Sequence, residues 1–301
     1  MQRKREQTYL YITAFVSGLV SLGVELSASR LLAPYFGDSH PVWAAIIGLI
    51  LLYLTAGYFI GGRWADRSPH PATLYSLAAW AGLLVGLVPF ISRPVLALSV
   101  RGFAGLNLAV LLGPFLAVLL LFSAPVTLMG CVSPFVIRLL MARVEQAGNV
   151  AGRTYAISTA GSLLGTLLPV FLLVPTVGTR NTFVALSLLL MAVGMVGLAR
   201  VAPRRALLHL WMPLLVLLLA LTLHGQPIKP AEGVIYETES AYNYIQVVEE
   251  DGWRRLYLNE GQGIHSVYRP GQRRVGGTWD YFLIAPFFNP PPFTPDRVRS
   301  L

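Results

Sequence analysis

Long apolar stretches dominate the first 223 positions, broken by short clusters of arginine, glycine and proline. A helix needs about 20 mostly apolar residues to cross the hydrocarbon core of a bilayer. The stretches 9–26, 42–60, 72–91, 106–129, 155–174, 182–198 and 207–223 meet or approach that length. The last two are the shortest, but arginines flanking them reach to the interface and let a slightly short helix span. Beyond residue 230 the pattern changes to alternation. Tyr242, Tyr244 and Gln246 interleave with Asn243, Ile245 and Val247, and Arg255, Tyr257 and Asn259 with Leu256 and Leu258. This period of two predicts strands. Asp251 and Gly252 between them form a strong hairpin signal. A sharp turn or bulge follows at Gly261, Gln262 and Gly263, then a short apolar element at 279–286, a rigid proline-rich linker at 289–295 and the opening of another strand at 296–301. The predicted fold is an α-helical multi-pass membrane bundle of about seven transmembrane helices followed by a small β-hairpin domain. The expected divisions are 1–228 for the bundle, 229–289 for the β-domain and 290–301 for a linker leading into a further domain.

Composition agrees with this pattern. Of 301 residues, 55% are hydrophobic and 12% charged, and the mean hydropathy is +0.61. Such a chain is too apolar for an ordinary soluble domain. Glu6, Glu25, Asp38, Asp66 and Glu145 are the acids before residue 230, whereas the other nine lie beyond it, which places the boundary near 225–232. The formal charge of +9 is accounted for by arginines at helix ends, as membrane topology demands, and not by nucleic-acid binding. Arg3, Lys4, Arg5, Arg63, Arg67, Arg138, Arg143, Arg153, Arg200, Arg204 and Arg205 fall on one side. Arg30, Arg93, Arg101 and Arg180 fall on the other. The expected location is the inner (plasma) membrane with a cytoplasmic N-terminus; seven crossings from there put the β-domain outside, whereas a fourth or seventh span that does not fully cross returns it to the cytoplasm. The basic start runs into its apolar stretch without a small-residue cleavage site, which predicts a retained helix. Cys131 is the single cysteine, and its apolar setting predicts a buried packing residue.

Glycines mark the helices: Gly57, Gly61 and Gly62 in the second, Gly82 and Gly86 in the third, Gly161 and Gly165 in the fifth. Small residues four apart let helices approach closely, so packing is their expected role. Pro125 and Pro134 predict a kink or end of the fourth helix before a short interfacial helix carrying Arg138. Glu25 lies late in the first span with Arg30 five residues on. An ionisable group at that depth requires a partner or water. A structural ion pair or interfacial contact is expected, with a substrate or ion site as the alternative. The five histidines lie far apart, so no metal site is expected.

Three stretches carry a resemblance to the membrane-anchored spermidine synthase-like family, also described as fused transporter/spermidine synthase proteins. ELSASRLLAPYFG at 25–37, continuing to GGRWADR at 61–67, resembles the family's first two helices. GRTYAISTAGSLLG at 152–165 with PTVG at 175–178 resembles the fifth. The hairpin region through Tyr281 resembles the small β-domain that precedes the aminopropyltransferase fold. The GGRWADR run is also similar to the loop between the second and third helices of major-facilitator transporters.

The spermidine synthase resemblance implies a following Rossmann-like domain that binds S-adenosylmethionine or its decarboxylated form. There, a glycine-rich loop holds the nucleoside and an aspartate assists amine attack on the aminopropyl carbon. That half is expected to be missing here, so no catalytic residue and no cofactor are assigned to the chain itself. The expected partners are the lipid bilayer and a separate Rossmann-like half or subunit, not nucleic acid. Soluble enzymes of this type carry Asp-Gly followed by Gln and later Tyr-His-Glu. The matching positions here are Asn259 and Glu260 with Gln262, and Tyr281 with Phe282 and Leu283. Asn259, Gln262 and Tyr281 are therefore the implied substrate contacts. The alternative reading is a transporter or small-molecule binding bundle with an accessory β-hairpin.

Overall fold

The computed structural model describes residues 2–102, 109–240 and 242–288. Four long helices open the chain: α1 (Gln2–Phe36), α2 (His40–Arg67), α3 (Pro71–Arg101) and α4 (Ala109–Leu140). After a short 3-10 turn come α5 (Ala147–Leu168), a π-helical turn (Pro169–Leu173), α6 (Val174–Val201), α7 (Pro203–His209) and α8 (Trp211–Thr222). Each stretch expected to span is helical where described, and the helices are long and apolar enough to cross a membrane. The run Val144–Val201 is 58 residues long, too long for one crossing. Gly178 divides it, with φ 80 and ψ 165 inside α6. Only glycine adopts that conformation at no steric cost.

The π turn has a local cause. Pro169 lacks an N–H and its ring crowds the carbonyl one turn back, and the Val174 N–H reaches five residues back to the Pro169 carbonyl.

Helix pairing follows the glycines. On α5, a Cβ at Gly161 would lie 2.0 Å from the Phe15 carbonyl oxygen of α1, and one at Gly165 2.0 Å from that of Leu19. Gly57 and Gly61 of α2 meet Thr127 and Cys131 of α4, while Gly82 and Gly86 of α3 meet Met191 and Ser187 of α6. Gly62 meets nothing within 4 Å. The expected packing role therefore holds for all the named glycines except Gly62. Between these pairs the core is continuous, with Val20, Leu32, Ile46, Phe122, Phe183 and Leu190 fully buried. The outside of the bundle is apolar too, with Phe171 and Leu221 each 76% exposed. Cys131 is buried, as expected.

The fourth helix corrects one expectation. It neither ends nor gives way to a separate interfacial helix, but runs unbroken from Ala109 to Leu140 through Pro114, Pro125 and Pro134. Neighbouring helices stabilise such a proline-bearing helix in a bundle: the backbone at Gly130 lies against Leu54 and Gly57 of α2.

The C-terminal part is larger than a hairpin. It forms a four-stranded antiparallel meander in the order β1 (Val234–Glu239), β2 (Tyr244–Glu250), β3 (Trp253–Leu258) and β4 (Ile264–Tyr268). The β2–β3 turn is the one expected, with Asp251 at φ 52 and Gly252 at φ 76, the two positive values a type I′ turn needs. The apolar element after β4 is the short helix α9 (Asp280–Ile284), followed by a 3-10 turn (Ala285–Phe288). The linker and strand expected at 289–301 lie outside the described residues.

Candidate functional site

The sheet sits on the bundle end that holds the C-terminus of α1 and the break at Gly178, and polar groups hold it there. Arg30 of α1 donates to the Tyr242 carbonyl at 2.7 Å and to the Ser240 carbonyl. Arg180 of α6 donates to the Leu223 and Gln226 carbonyls at 2.7 and 3.2 Å. Arg93 of α3 donates to Gln226 Oε1 at 2.8 Å. In the other direction, Glu239 of β1 accepts from the Thr179 N–H at 2.7 Å and from its hydroxyl. It thus caps the helix that resumes after Gly178, where a carboxylate is favoured by the helix dipole.

Glu237, two residues earlier on the same strand face, accepts from the Ile228 and Lys229 N–H groups and from the Tyr244 hydroxyl. Tyr244 and Gln246 are buried at 2% and 5% exposure, so the face of β2 turned inward is polar. Burial, then the hydrogen bond to Glu237, pushes the Tyr244 phenol up. Burial lowers the Lys229 ammonium, opposed by Glu260, and Lys229 Nζ donates to the Glu260 carbonyl at 2.7 Å.

Beneath the sheet lies a cavity of about 240 Å³. Leu26, Ser29, Arg30 and Ala33 of α1 form one wall, and Asp38 and Trp43 at the start of α2 another. Pro169 and Val170 of the π segment with Val174 at the start of α6 form a third, and Tyr242 and Asn259 form the roof. π turns inside α-helices recur at functional sites. The Trp43 indole N–H donates to Asp38 Oδ1, which fixes an exposed carboxylate beside one aromatic ring, and Tyr242 lines the same cavity. A carboxylate with neighbouring aromatic rings suits a cationic amine, through charge and cation–π attraction. Arg30 opposes that charge, although its donors are already engaged by two carbonyls. A wider groove of about 650 Å³ opens at the opposite end of the bundle among Lys4, Arg5, Tyr9, Tyr75 and Arg200.

The structure brings two of the expected site residues together at this cavity, Arg30 and Asn259. Asn259 uses its side chain within the sheet: Oδ1 accepts from the Tyr244 N–H and Nδ2 donates to Asn243 Oδ1, each at 3.1 Å. Its φ of 50 is one that asparagine tolerates. Gln262 is exposed in the β3–β4 connection, and Tyr281 is 66% exposed on α9. Neither belongs to the cavity wall.

Glu25 and Arg30 form no ion pair among the described residues. Five residues apart, their side chains leave a helix ~140° apart, and Arg30 makes the interfacial contact instead. No group of three potential metal ligands exists among the described residues.

The sequence reading missed Asp38, Trp43 and the π segment. Pro169 and Pro175 inside one apolar run were the available signal for the last of these. No family model, curated protein or solved structure matches the chain.

Proposed function

We propose that this chain is a multi-pass protein of the inner (plasma) membrane that binds a small aliphatic amine beneath its extracytoplasmic sheet. In this reading it supplies the membrane and substrate-side part of a spermidine synthase-like system, in which a Rossmann-like part with bound decarboxylated S-adenosylmethionine supplies the chemistry. The observation that carries the reading is the cavity lined by Asp38, Trp43, Tyr242 and the π segment. Its volume of about 240 Å³ suits a short diamine, and Asp38 supplies the acidic partner a diamine requires. The resemblance of 25–37, 61–67 and 152–165 to that family supports the choice of amine. Neither Gln262 nor Tyr281 is required for binding in this form of the reading, because neither lines the cavity.

Binding is tested by titrating putrescine and spermidine, with the uncharged butanediol as control, into purified protein in detergent and following the unfolding temperature. Both amines are expected to raise it and the diol is not. Asp38→Asn is expected to weaken binding about tenfold or more, the scale of one lost charged hydrogen bond. An unaltered amine response in Asp38→Asn would sink the assignment. Residues 1–301 purified alone are expected to form no spermidine from putrescine and decarboxylated S-adenosylmethionine, and product formation would overturn the need for a Rossmann-like part.

A further inference from the structure

A second, much smaller cavity lies near the first, with Arg30 in the wall of both. Its volume is about 30 Å³, and its lining includes Arg30, Arg93, Arg180, Ser92, Thr179 and Glu239. Three guanidinium groups therefore meet Glu239 in the wall, with Glu237 near enough to act on Arg180, which leaves one positive charge in excess. Their hydrogen bonds are unevenly used. Arg30 and Arg180 each spend both terminal nitrogens on main-chain carbonyls. Arg93 spends one, NH1, on Gln226. Its Nε and NH2 are buried and have no partner among the described residues. Those two nitrogens form one edge of the planar guanidinium, with parallel N–H bonds shaped for a single acceptor group.

The nearby carboxylates already accept hydrogen bonds from other groups and do not reach the Arg93 edge. Glu239 is held by Thr179, and Glu237 by Ile228, Lys229 and Tyr244. No carboxylate forms a salt bridge with Arg30, Arg93 or Arg180 among the described residues. A buried charged donor without an acceptor is among the costlier defects in a fold. Water satisfies hydrogen bonds but leaves the excess positive charge uncompensated. An anion satisfies both, and the space excludes anything much larger than a halide.

We propose that this cavity is a binding site for one small monovalent anion of chloride size, seated on the Nε/NH2 edge of Arg93. Bound there, the anion bridges α3 to the ends of the linker and α6 that carry the sheet, so it strengthens sheet docking. It is independent of amine binding, since Asp38, Trp43 and Tyr242 do not line this cavity.

The test follows the unfolding temperature of the full chain in detergent, at constant ionic strength, as chloride replaces gluconate. Gluconate is too large for the space. Stabilisation is expected that becomes linear in the logarithm of chloride once chloride exceeds its dissociation constant, as required of a ligand that binds only the folded state. Bromide is expected to act like chloride.

Arg93→Gln is expected to shift half-saturation about tenfold or more. Arg101→Gln, which removes a charge at the same end of the bundle but outside the cavity wall, is expected to leave it unchanged. If Arg93→Gln does not fold, Arg93→Lys keeps the charge, removes the two-pronged edge and is expected to weaken the response. Crystals grown in bromide supply a direct readout, an anomalous peak beside Arg93. An absent peak, indifference to chloride, or an equal response in the Arg93 variants would overturn the site in favour of water.

Discussion

Tyr244 joins the sheet to its own foundations. It is buried at 2% exposure, and its hydroxyl donates to the same Glu237 that receives the linker N–H groups of Ile228 and Lys229. Burial, followed by the hydrogen bond to Glu237, holds the phenol above the 10.0 of an ordinary tyrosine. The sign of its pH dependence follows. Above pH 10 the unfolded chain loses the proton while the folded one keeps it, so the unfolded state binds fewer protons and stability falls as pH rises. The contribution is fully present below pH 10 and is lost as pH climbs through the folded-state value. Tyr244→Phe is expected to cost about 1–3 kcal/mol at neutral pH, because it leaves a half-buried carboxylate one donor short. It is also expected to flatten the alkaline loss. Thermal unfolding of both proteins at about pH 8 and about pH 11 checks this, since the other tyrosines titrate alike in the pair and cancel. Equal alkaline slopes in the two proteins would remove Tyr244 from that role.

Among the elements, glycine spacing was readable in advance because close helix approach requires only the absence of a side chain. The consequence is measurable at two neighbouring kinds of glycine. A Cβ at Gly161 would stand 2.0 Å from the Phe15 carbonyl oxygen, whereas one at Gly62 meets nothing within 4 Å. Gly161→Ala is expected to force α1 and α5 apart at a cost of about 1–3 kcal/mol. Gly62→Ala is expected to gain up to about 1 kcal/mol from helix propensity. Opposite shifts of the unfolding temperature in detergent are the readout, and destabilisation by both would mean that Gly62 has a packing partner. The spans were equally legible, because hydropathy is a property of each stretch by itself. What was not legible depended on partners distant in sequence. The region 27–36 reads as the polar end of a span, with Ser27, Ser29, Arg30 and Pro34, yet α1 continues to Phe36 because Arg30 and Tyr35 bond to the sheet and linker. Strand β1 was missed because Glu237 and Glu239 lower its strand propensity, and those same acids anchor it to the bundle. The prolines of α4 do not end the helix, and α2 packs against it at Gly130 through Leu54 and Gly57, a neighbour the local sequence does not show. The cavity itself gathers Arg30, Pro169 and Tyr242 from three distant parts of the chain.

At the scale of the whole molecule, the arginine count acquires a structural explanation. Of the four arginines on the sparse side, Arg30, Arg93 and Arg180 all donate to the linker or the sheet. Their placement is thus a requirement of docking and not a counter-signal to orientation. The remaining asymmetry, with Lys4, Arg5, Arg63, Arg67, Arg138, Arg143, Arg153, Arg200, Arg204 and Arg205 at the opposite end, favours a cytoplasmic N-terminus. The break at Gly178 divides the 58-residue run Val144–Val201 into two helical segments, and in the proposed orientation these are two of seven crossings that carry the sheet to the far side. In the proposed orientation the cavity captures the amine, and a cytosolic nucleotide-derived donor meets that amine only on the other side of the membrane. The placement is open to direct measurement because Cys131 is the sole cysteine of the chain and is buried. Arg273→Cys introduces an exposed thiol beyond β4 at a position free of the positive φ that constrains Gly271. In cells whose outer barrier is permeabilised, an impermeant maleimide is expected to label Arg273→Cys before the inner membrane is opened. A Gln7→Cys protein, with its thiol near the start of α1, is expected to label only afterwards. The reverse order would turn the molecule over, place the amine cavity in the cytoplasm, and restore the possibility that a nucleotide-derived donor reaches the sheet directly.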